Sequence, residues 1–374
     1  MRKTINHLLR AVLSLLVNIG LKQNARALSR LLIISLATLA AASSQAAPGG
    51  GGGGGGAGGT GGGTIYYIGA WDGVNHGGTA VMKTMNSDGS NKKQLGFGLF
   101  GPPSRAPHNG HRWFVATLGI ADQYYPDGDR RRELFAFRGD YDVNLNNTPA
   151  TRVQLTDDPT LEPAWADWVP GDEEISFIGM RWSSVEPGAA PVEGGLYVAS
   201  LLFDADGSIV GLASQPVTPA ISAQLLEVQP GDWRPDFVAY SWAPDAVRVT
   251  YTTHDSDLWV ANLLDVHTLI YTGSAHAPQW SPDGSKIAFT GGGIRTIKAN
   301  GAGLKLVVRD PSDWFASHVF WSPTGSHFVF AGEESGTGNS DVFRVPATGG
   351  SWVNLTGTPA PLRESIHESQ GGWR

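Results

Sequence analysis

Around Trp280 apolar and polar positions alternate with a period of two, the spacing of a half-buried β-strand. Trp280 is followed by Ser281-Pro282-Asp283-Gly284, and then Ile287 and Phe289 fall on one face of an extended segment with Ala288 on the other. Ser, Pro, Asp and Gly in that order suit the four positions of a type I turn, because proline presets φ at the second position and Asp accepts from nearby backbone N–H groups. The predicted unit is a β-hairpin with one apolar face.

The same frame recurs at Trp321-Ser322-Pro323-Thr324-Gly325, with Phe328 and Phe330 in the places of Ile287 and Phe289. It recurs again at Trp242-Ala243-Pro244-Asp245 before Val249 and Tyr251, and at Trp168-Val169-Pro170-Gly171 before Ile175 and Phe177. A fifth, degraded copy, Arg105-Ala106-Pro107-His108-Asn109-Gly110 before Trp113 and Val115, has a one-residue insertion and no leading tryptophan. Third strands follow, such as "LWVA" (Leu258 to Ala261) and "VFRV" (Val342 to Val345), and then short fourth segments such as "RVQLT" (Arg152 to Thr156) and "LKLVV" (Leu304 to Val308). Each repeat is thus a four-stranded antiparallel meander. One meander alone leaves apolar faces wet, whereas radial stacking buries them against one another, which predicts a β-propeller.

Anchors at 105, 168, 242, 280 and 321 are separated by 63, 74, 38 and 41 residues. The short spacings match a blade of roughly 40 to 45 residues, so the long ones hold insertions. Residues 65 to 97 supply three strands without a Trp strand before them, and the chain ends at Gly372-Trp373-Arg374, where the next Trp strand would begin. The C-terminal strand is therefore expected to complete the first blade and close the ring. Six blades result, or seven if the 74-residue gap hides another.

Composition supports an all-β chain: 50 Gly, 23 Pro and 13 Trp stand among 374 residues. The absence of cysteine excludes disulfides, a thiol nucleophile, Cys-ligated zinc and a lipid-modified N-terminal cysteine.

Residues 1–46 read as a signal peptide: six basic and no acidic residues precede or flank the apolar run Leu31 to Ala42, which leads into Ser44-Gln45-Ala46. At 12 residues that run is shorter than the ~20 needed to span a bilayer. Cleavage after Ala46 leaves no stable membrane span. Because a second apolar stretch, Leu8 to Leu21, lies within the basic region, an uncleaved anchor or a translation start placed too far upstream are the alternatives. Residues 47–64 read as a Gly-rich flexible linker and 65–374 as the propeller. After cleavage 21 Lys and Arg face 34 Asp and Glu, a net charge of about −13, which argues against a nucleic-acid partner.

The units "WSPDGSKIAF…IKANGAGLKLV" and "TMNSDGSNKKQLG" resemble TolB-type propeller repeats over nearly all of Thr64 to Arg374. The resemblance implies a six-bladed propeller in the bacterial periplasm that docks partner proteins at one mouth of its channel. Where TolB has a folded α/β domain ahead of its propeller, this sequence has the signal-like segment and polyglycine. Propellers of this type also serve as accessory domains of peptidases and as scaffolds of sugar lyases, so the repeat specifies fold more than function.

Candidate chemistry is sparse. His108 and His111, three apart, can begin a metal site, but they lie at a hairpin turn and no third ligand is adjacent. Asp204-Ala205-Asp206-Gly207 has the start of a calcium loop without its third acid or distal glutamate, and suits an Asp-Gly hairpin turn better. His276, His318 and His367 approach innermost strands and together can ring a channel mouth, as in propeller-based lyases that hold a metal. Their offsets from the following tryptophan differ, and in a strand an offset of one reverses the face.

No Gly-x-Ser-x-Gly, His-Glu-x-x-His or phosphate-loop motif is present. The recurring tryptophans read as blade packing, so a site is expected where the repeats differ: the insertions Tyr124 to Arg132, Ser183 to Gly194 and Pro219 to Pro235. Tyr124, Tyr125 and Trp233 in those insertions, with His276 and His318, are the candidate partner contacts. The expected function is an exported, monomeric, non-catalytic propeller that needs no cofactor and binds a protein, peptide or glycan in the periplasm or outside the cell. The rival is a metal-dependent polysaccharide-active enzyme using the channel histidines.

Overall fold

A computed structural model describes residues 63–70, 80–97, 104, 108–138, 152–229, 232–310, 314–334, 340–357, 364–365 and 372–373. The expected signal peptide, all but the end of the linker, and His367 lie outside the described residues.

The strands fall into six blades. Blade 1 holds β1 (Thr64–Ala70), β2 (Ala80–Asn86) and β3 (Lys93–Phe97), and blade 2 holds β4 (Trp113–Tyr124), β5 (Arg130–Arg138) and β6 (Arg152–Gln154). Blade 3 is β7 (Leu161–Trp168), β8 (Glu174–Trp182), the long β9 (Pro191–Phe203) and β10 (Ile209–Leu212), with β11 (Ile221–Ala223) also paired to β9. A separate hairpin follows, β12 (Leu225–Gln229) and β13 (Asp232–Pro235). Blade 4 is β14 (Phe237–Trp242), β15 (Arg248–Thr253), β16 (Leu258–Asn262) and β17 (His267–Tyr271). Blade 5 is β18 (His276–Trp280), β19 (Ile287–Thr290), β20 (Gly293–Ile297) and β21 (Lys305–Arg309). Blade 6 is β22 (Trp314–Trp321), β23 (His327–Glu334), β24 (Ser340–Pro346) and β25 (Val353–Asn354). Finally β26 (Glu364–Ser365) and β27 (Gly372–Trp373) pair with β1, so the C-terminus closes the ring. The 74-residue gap holds β11 and the β12–β13 hairpin instead of a seventh blade.

One register runs through the repeats. Trp168 lies opposite Ile175, Trp242 opposite Val249, Trp280 opposite Ile287 and Trp321 opposite Phe328. The turns have the predicted chemistry: the Gly284 N–H donates to the Ser281 carbonyl at 2.9 Å, and Asp283 Oδ1 accepts from the Ser285 N–H at 3.0 Å. Gly284 and Gly325 adopt φ of 68° and 69°, where a Cβ is strained.

Six apolar clusters form, one at each junction between neighbouring blades. Tyr66, Met82 and Phe135 join blades 1 and 2, Trp168, Phe177 and Leu134 join 2 and 3, and Trp242, Val249 and Ile178 join 3 and 4. Trp280, Phe289 and Leu258 join 4 and 5, Phe328, Phe330 and Ile294 join 5 and 6, and Phe320, Val342 and Ile65 join 6 back to 1. Trp168, Trp242 and Trp280 are buried, as their packing role requires. Hydrogen bonds stitch the same junctions: Trp242 Nε1 donates to Ser176 Oγ at 2.8 Å, and Trp321 Nε1 donates to the Gln279 carbonyl at 3.1 Å.

The sequence pattern does not show an irregularity shared by the innermost strands of blades 3, 5 and 6. Pairing shifts between Ala164 and Asp167, between His276 and Gln279, and between Ser317 and Phe320. At these bulges Trp165, Ala277 and His318, each three residues before the blade tryptophan, all have φ of 48°.

Candidate functional site

The three inserted segments meet at one end of β7. The first, between β4 and β5, repeats the Pro-Asp-Gly turn of the blades as Tyr125-Pro126-Asp127-Gly128. The Gly128 N–H donates to the Tyr125 carbonyl at 3.0 Å, and Asp127 Oδ1 accepts from the Asp129 N–H at 3.0 Å. Tyr125 is buried, its hydroxyl 2.7 Å from the Arg132 carbonyl and 3.1 Å from the Leu161 carbonyl at the start of β7. Burial holds this phenol protonated far above its ordinary range. It therefore fixes the first insertion onto blade 3.

The second insertion touches the first, the Gly188 N–H donating to the Pro126 carbonyl at 3.2 Å. The third brings Leu225 and Trp233 from β12 and β13 against Tyr125, Met180 and Trp182. A small apolar cluster, separate from the six blade junctions, therefore joins the first and third insertions to β8, and the Gly188–Pro126 hydrogen bond adds the second. Nearby, Arg181 binds Asp158 Oδ2 at 2.7 Å and donates to the carbonyls of Pro216 (2.8 Å) and Val217 (3.0 Å), which anchors the stretch that leads into β11.

Beneath the cluster sits Glu162. Among the described residues its hydrogen bond is from Trp182 Nε1, at 3.3 Å. Burial, and then the charge of Asp127, raise its carboxyl to about 7. Asp127 is itself raised by burial, while Asp232 pairs with Arg234 at 3.1 Å on the rim. Around the aromatic centre the rim thus carries charges of both signs.

The sequence-derived candidates separate accordingly. Tyr124 is 59% exposed beside buried Tyr125, and Trp233 is partly buried against the cluster, so Tyr124 is the tyrosine that faces solvent. His276 and His318 lie elsewhere, on the innermost strands of blades 5 and 6. His276 is exposed, its Nε2 3.1 Å from Ser274 Oγ, whereas His318 is half-buried and occupies the bulge. The residue of blade 5 equivalent to His318 is Ala277, so the two histidines do not hold equivalent places. Among the described residues no three His, Cys, Asp or Glu side chains gather into a group able to hold a metal ion.

His108 and Asp204 serve the fold. The turn at Asn109 packs on the turn at Asp206, Asn109 donating to the Asp206 carbonyl, and the His108 ring lies 4.6 Å from that of Phe203. Asp204 Oδ1 accepts from the N–H groups of Asp206 and Ser208 at 2.9 and 2.8 Å, the bonding of an Asp-Gly hairpin turn.

Sequence inspection missed Glu162, Met180 and Trp182. Trp182 was the findable one, since it is a tryptophan outside the blade frame that immediately precedes an insertion.

No family model matches the chain. Among solved structures it is similar to TolB from Acinetobacter baumannii, at 13% identity and a TM-score of 0.50, over 83% of this chain and 66% of TolB. It is also similar to a puromycin-hydrolyzing peptidase of Mycobacterium tuberculosis (15% identity, TM-score 0.45, 78% of this chain and 45% of the peptidase). A manganese complex of oligogalacturonate lyase matches at 13% identity and a TM-score of 0.40, over 70% of this chain and 73% of the lyase. The chain thus spans just under two thirds of TolB and less than half of the peptidase. The likeness is one of fold: the chain forms a six-bladed β-propeller similar to that of TolB.

Proposed function

We propose that this protein is an exported binding propeller, without catalysis, whose inserted face holds a protein, peptide or glycan partner in the periplasm or outside the cell. The observation that carries the proposal is that the three insertions meet: the first and third pack in the Tyr125–Trp182–Trp233 cluster, and Gly188 of the second binds Pro126 of the first. Blades repeat for structural reasons, so segments that break the repeat yet pack on one another mark the surface where binding is to be sought. Exposed Tyr124 and partly buried Trp233, held by the buried cluster and flanked by charges of both signs, have the composition of a protein-binding patch. Export is supported by the basic, apolar residues 1–46 and by the resemblance to a periplasmic propeller family.

Two measurements test the proposal. Mass spectrometry of the protein recovered from the envelope or medium is expected to place its N-terminus after Ala46; a protein retained inside the cell with residues 1–46 attached contradicts export. Replacing residues 183–190 by a two-residue turn is expected to abolish capture of the partner held by the wild-type chain while the melting curve stays cooperative. Unchanged capture contradicts the assignment of the face.

A further inference from the structure

At the opposite end of β7, roughly 20 Å along the strand, the turn after Trp168 faces the turn after Trp242 across the junction of blades 3 and 4. Between them lies a cleft of about 810 Å³, open to solvent along one side, with room for a side chain and the peptide residues beside it. The ionisable side chains lining it, Glu173, Glu174 and Asp245, are all acids, and Leu201, Phe203 and Val247 supply apolar surface.

The three acids differ in their engagement. Asp245 Oδ2 accepts from Arg248 Nε at 2.7 Å, and that guanidinium lies 4.7 Å from the centre of the Trp280 ring, so the Asp245 charge is balanced within the fold. Ser200 Oγ donates to Glu174 Oε1 at 3.0 Å, which orients the carboxylate beside the cleft. Glu173 is exposed at the rim.

These two turns also depart from the others. Where blades 5 and 6 place Gly284 and Gly325, blades 3 and 4 place Asp172 and Ala246, with φ of 58° and 57°. The blades here depart from the repeat where the cleft lies.

No cationic side chain lines the cleft to receive an anion, and a wholly apolar ligand leaves carboxylates to be desolvated at a cost. A cation on an aliphatic stem fits both the acids and the apolar surface, as the side chains of lysine and arginine do. The net charge of about −13 beyond residue 46 favours the approach of such a group. We propose that this cleft is a second binding site, for a basic side chain on a peptide or protein segment, with Glu173 and Glu174 taking its charge and Leu201, Phe203 and Val247 covering its stem.

The test is a titration of the full protein, followed by calorimetry, with acetylated and amidated pentapeptides Ala-Leu-X-Leu-Ala, where X is lysine, arginine, norleucine or glutamate. Saturable binding is expected for lysine or arginine, with affinity about tenfold lower or less for norleucine and glutamate, and weakening as salt is raised. Glu173→Lys, a change at an exposed position, is expected to weaken binding about tenfold with an unchanged melting temperature, and Glu174→Gln to weaken it less. Equal binding of the norleucine peptide, full affinity in Glu173→Lys, or no saturable binding by any peptide overturns the proposal. Shortening residues 183–190, at the other end of β7, is expected to leave this binding intact, which separates failure here from failure of the inserted face.

Discussion

Trp373 lies opposite Ile65, the register in which Trp280 lies opposite Ile287 and Trp321 opposite Phe328. The last residues of the chain therefore occupy the innermost-strand position of the blade that the first described strand begins. Closure joins sequence ends more than 300 residues apart and leaves no open edge on β1.

Deleting residues 364–374 is expected to expose that edge and to lower the melting temperature by about 3 °C or more, the effect of losing ~2 kcal/mol in a domain of this size. Differential scanning calorimetry of the truncated chain checks this, and an unchanged melting temperature contradicts closure by the C-terminus.

Ser176 is buried and serves two partners from blade 4: Trp242 Nε1 at 2.8 Å, and the Tyr240 hydroxyl at 3.1 Å. Ser176→Ala leaves a buried indole N–H without its acceptor and is expected to cost about 1–3 kcal/mol in denaturant unfolding. A double-mutant cycle with Trp242→Phe is expected to show coupling, whereas Trp280→Phe, whose indole nitrogen has no hydrogen bond in the structure, adds independently of Ser176→Ala.

Glu162 imposes a pH dependence. Its folded-state value of about 7 lies above the ordinary 4.5, so the folded chain holds this proton more tightly than the unfolded chain. The resulting stabilisation is full below about 4.5 and is lost as pH rises towards about 7. Glu162→Gln is expected to flatten this part of the stability profile. Parallel profiles of variant and wild type between these limits contradict the burial of the carboxyl.

The blade frame was legible because it is local: a tryptophan, a four-residue turn and two apolar residues fix a hairpin and its register whatever surrounds them. The six-blade count followed from that frame and from the missing innermost strand before Thr64. The bulges at Trp165, Ala277 and His318 were not legible, since positive φ in a non-glycine residue leaves no mark in the pattern. The unequal places of His276 and His318 were legible already, since they stand four and three residues before their tryptophans and the bulge falls at the same offset in both strands. At the inserted face the segments were identifiable as departures from the repeat. The burial of Glu162 beneath Trp182 depends on three segments far apart in sequence and shows only when they pack.

His276 and His318 are expected to hold no metal. Elemental analysis of the protein purified without chelators is expected to find no stoichiometric transition metal, and His276→Ala and His318→Ala are expected to leave the metal content unchanged. A stoichiometric metal lost on either substitution favours the enzymatic alternative.

The inserted face as the partner-binding surface is tested most directly by photo-crosslinking in the native host, with a benzophenone side chain placed singly at Tyr124, Val228 or Leu304. All three positions are solvent-exposed, but Tyr124 and Val228 lie in or beside the inserted segments and Leu304 lies on blade 5. The predicted result is one and the same covalent adduct from positions 124 and 228 and none from 304. Adducts from 304 alone, or no adduct from 124 and 228 under conditions where the protein is exported, contradict it.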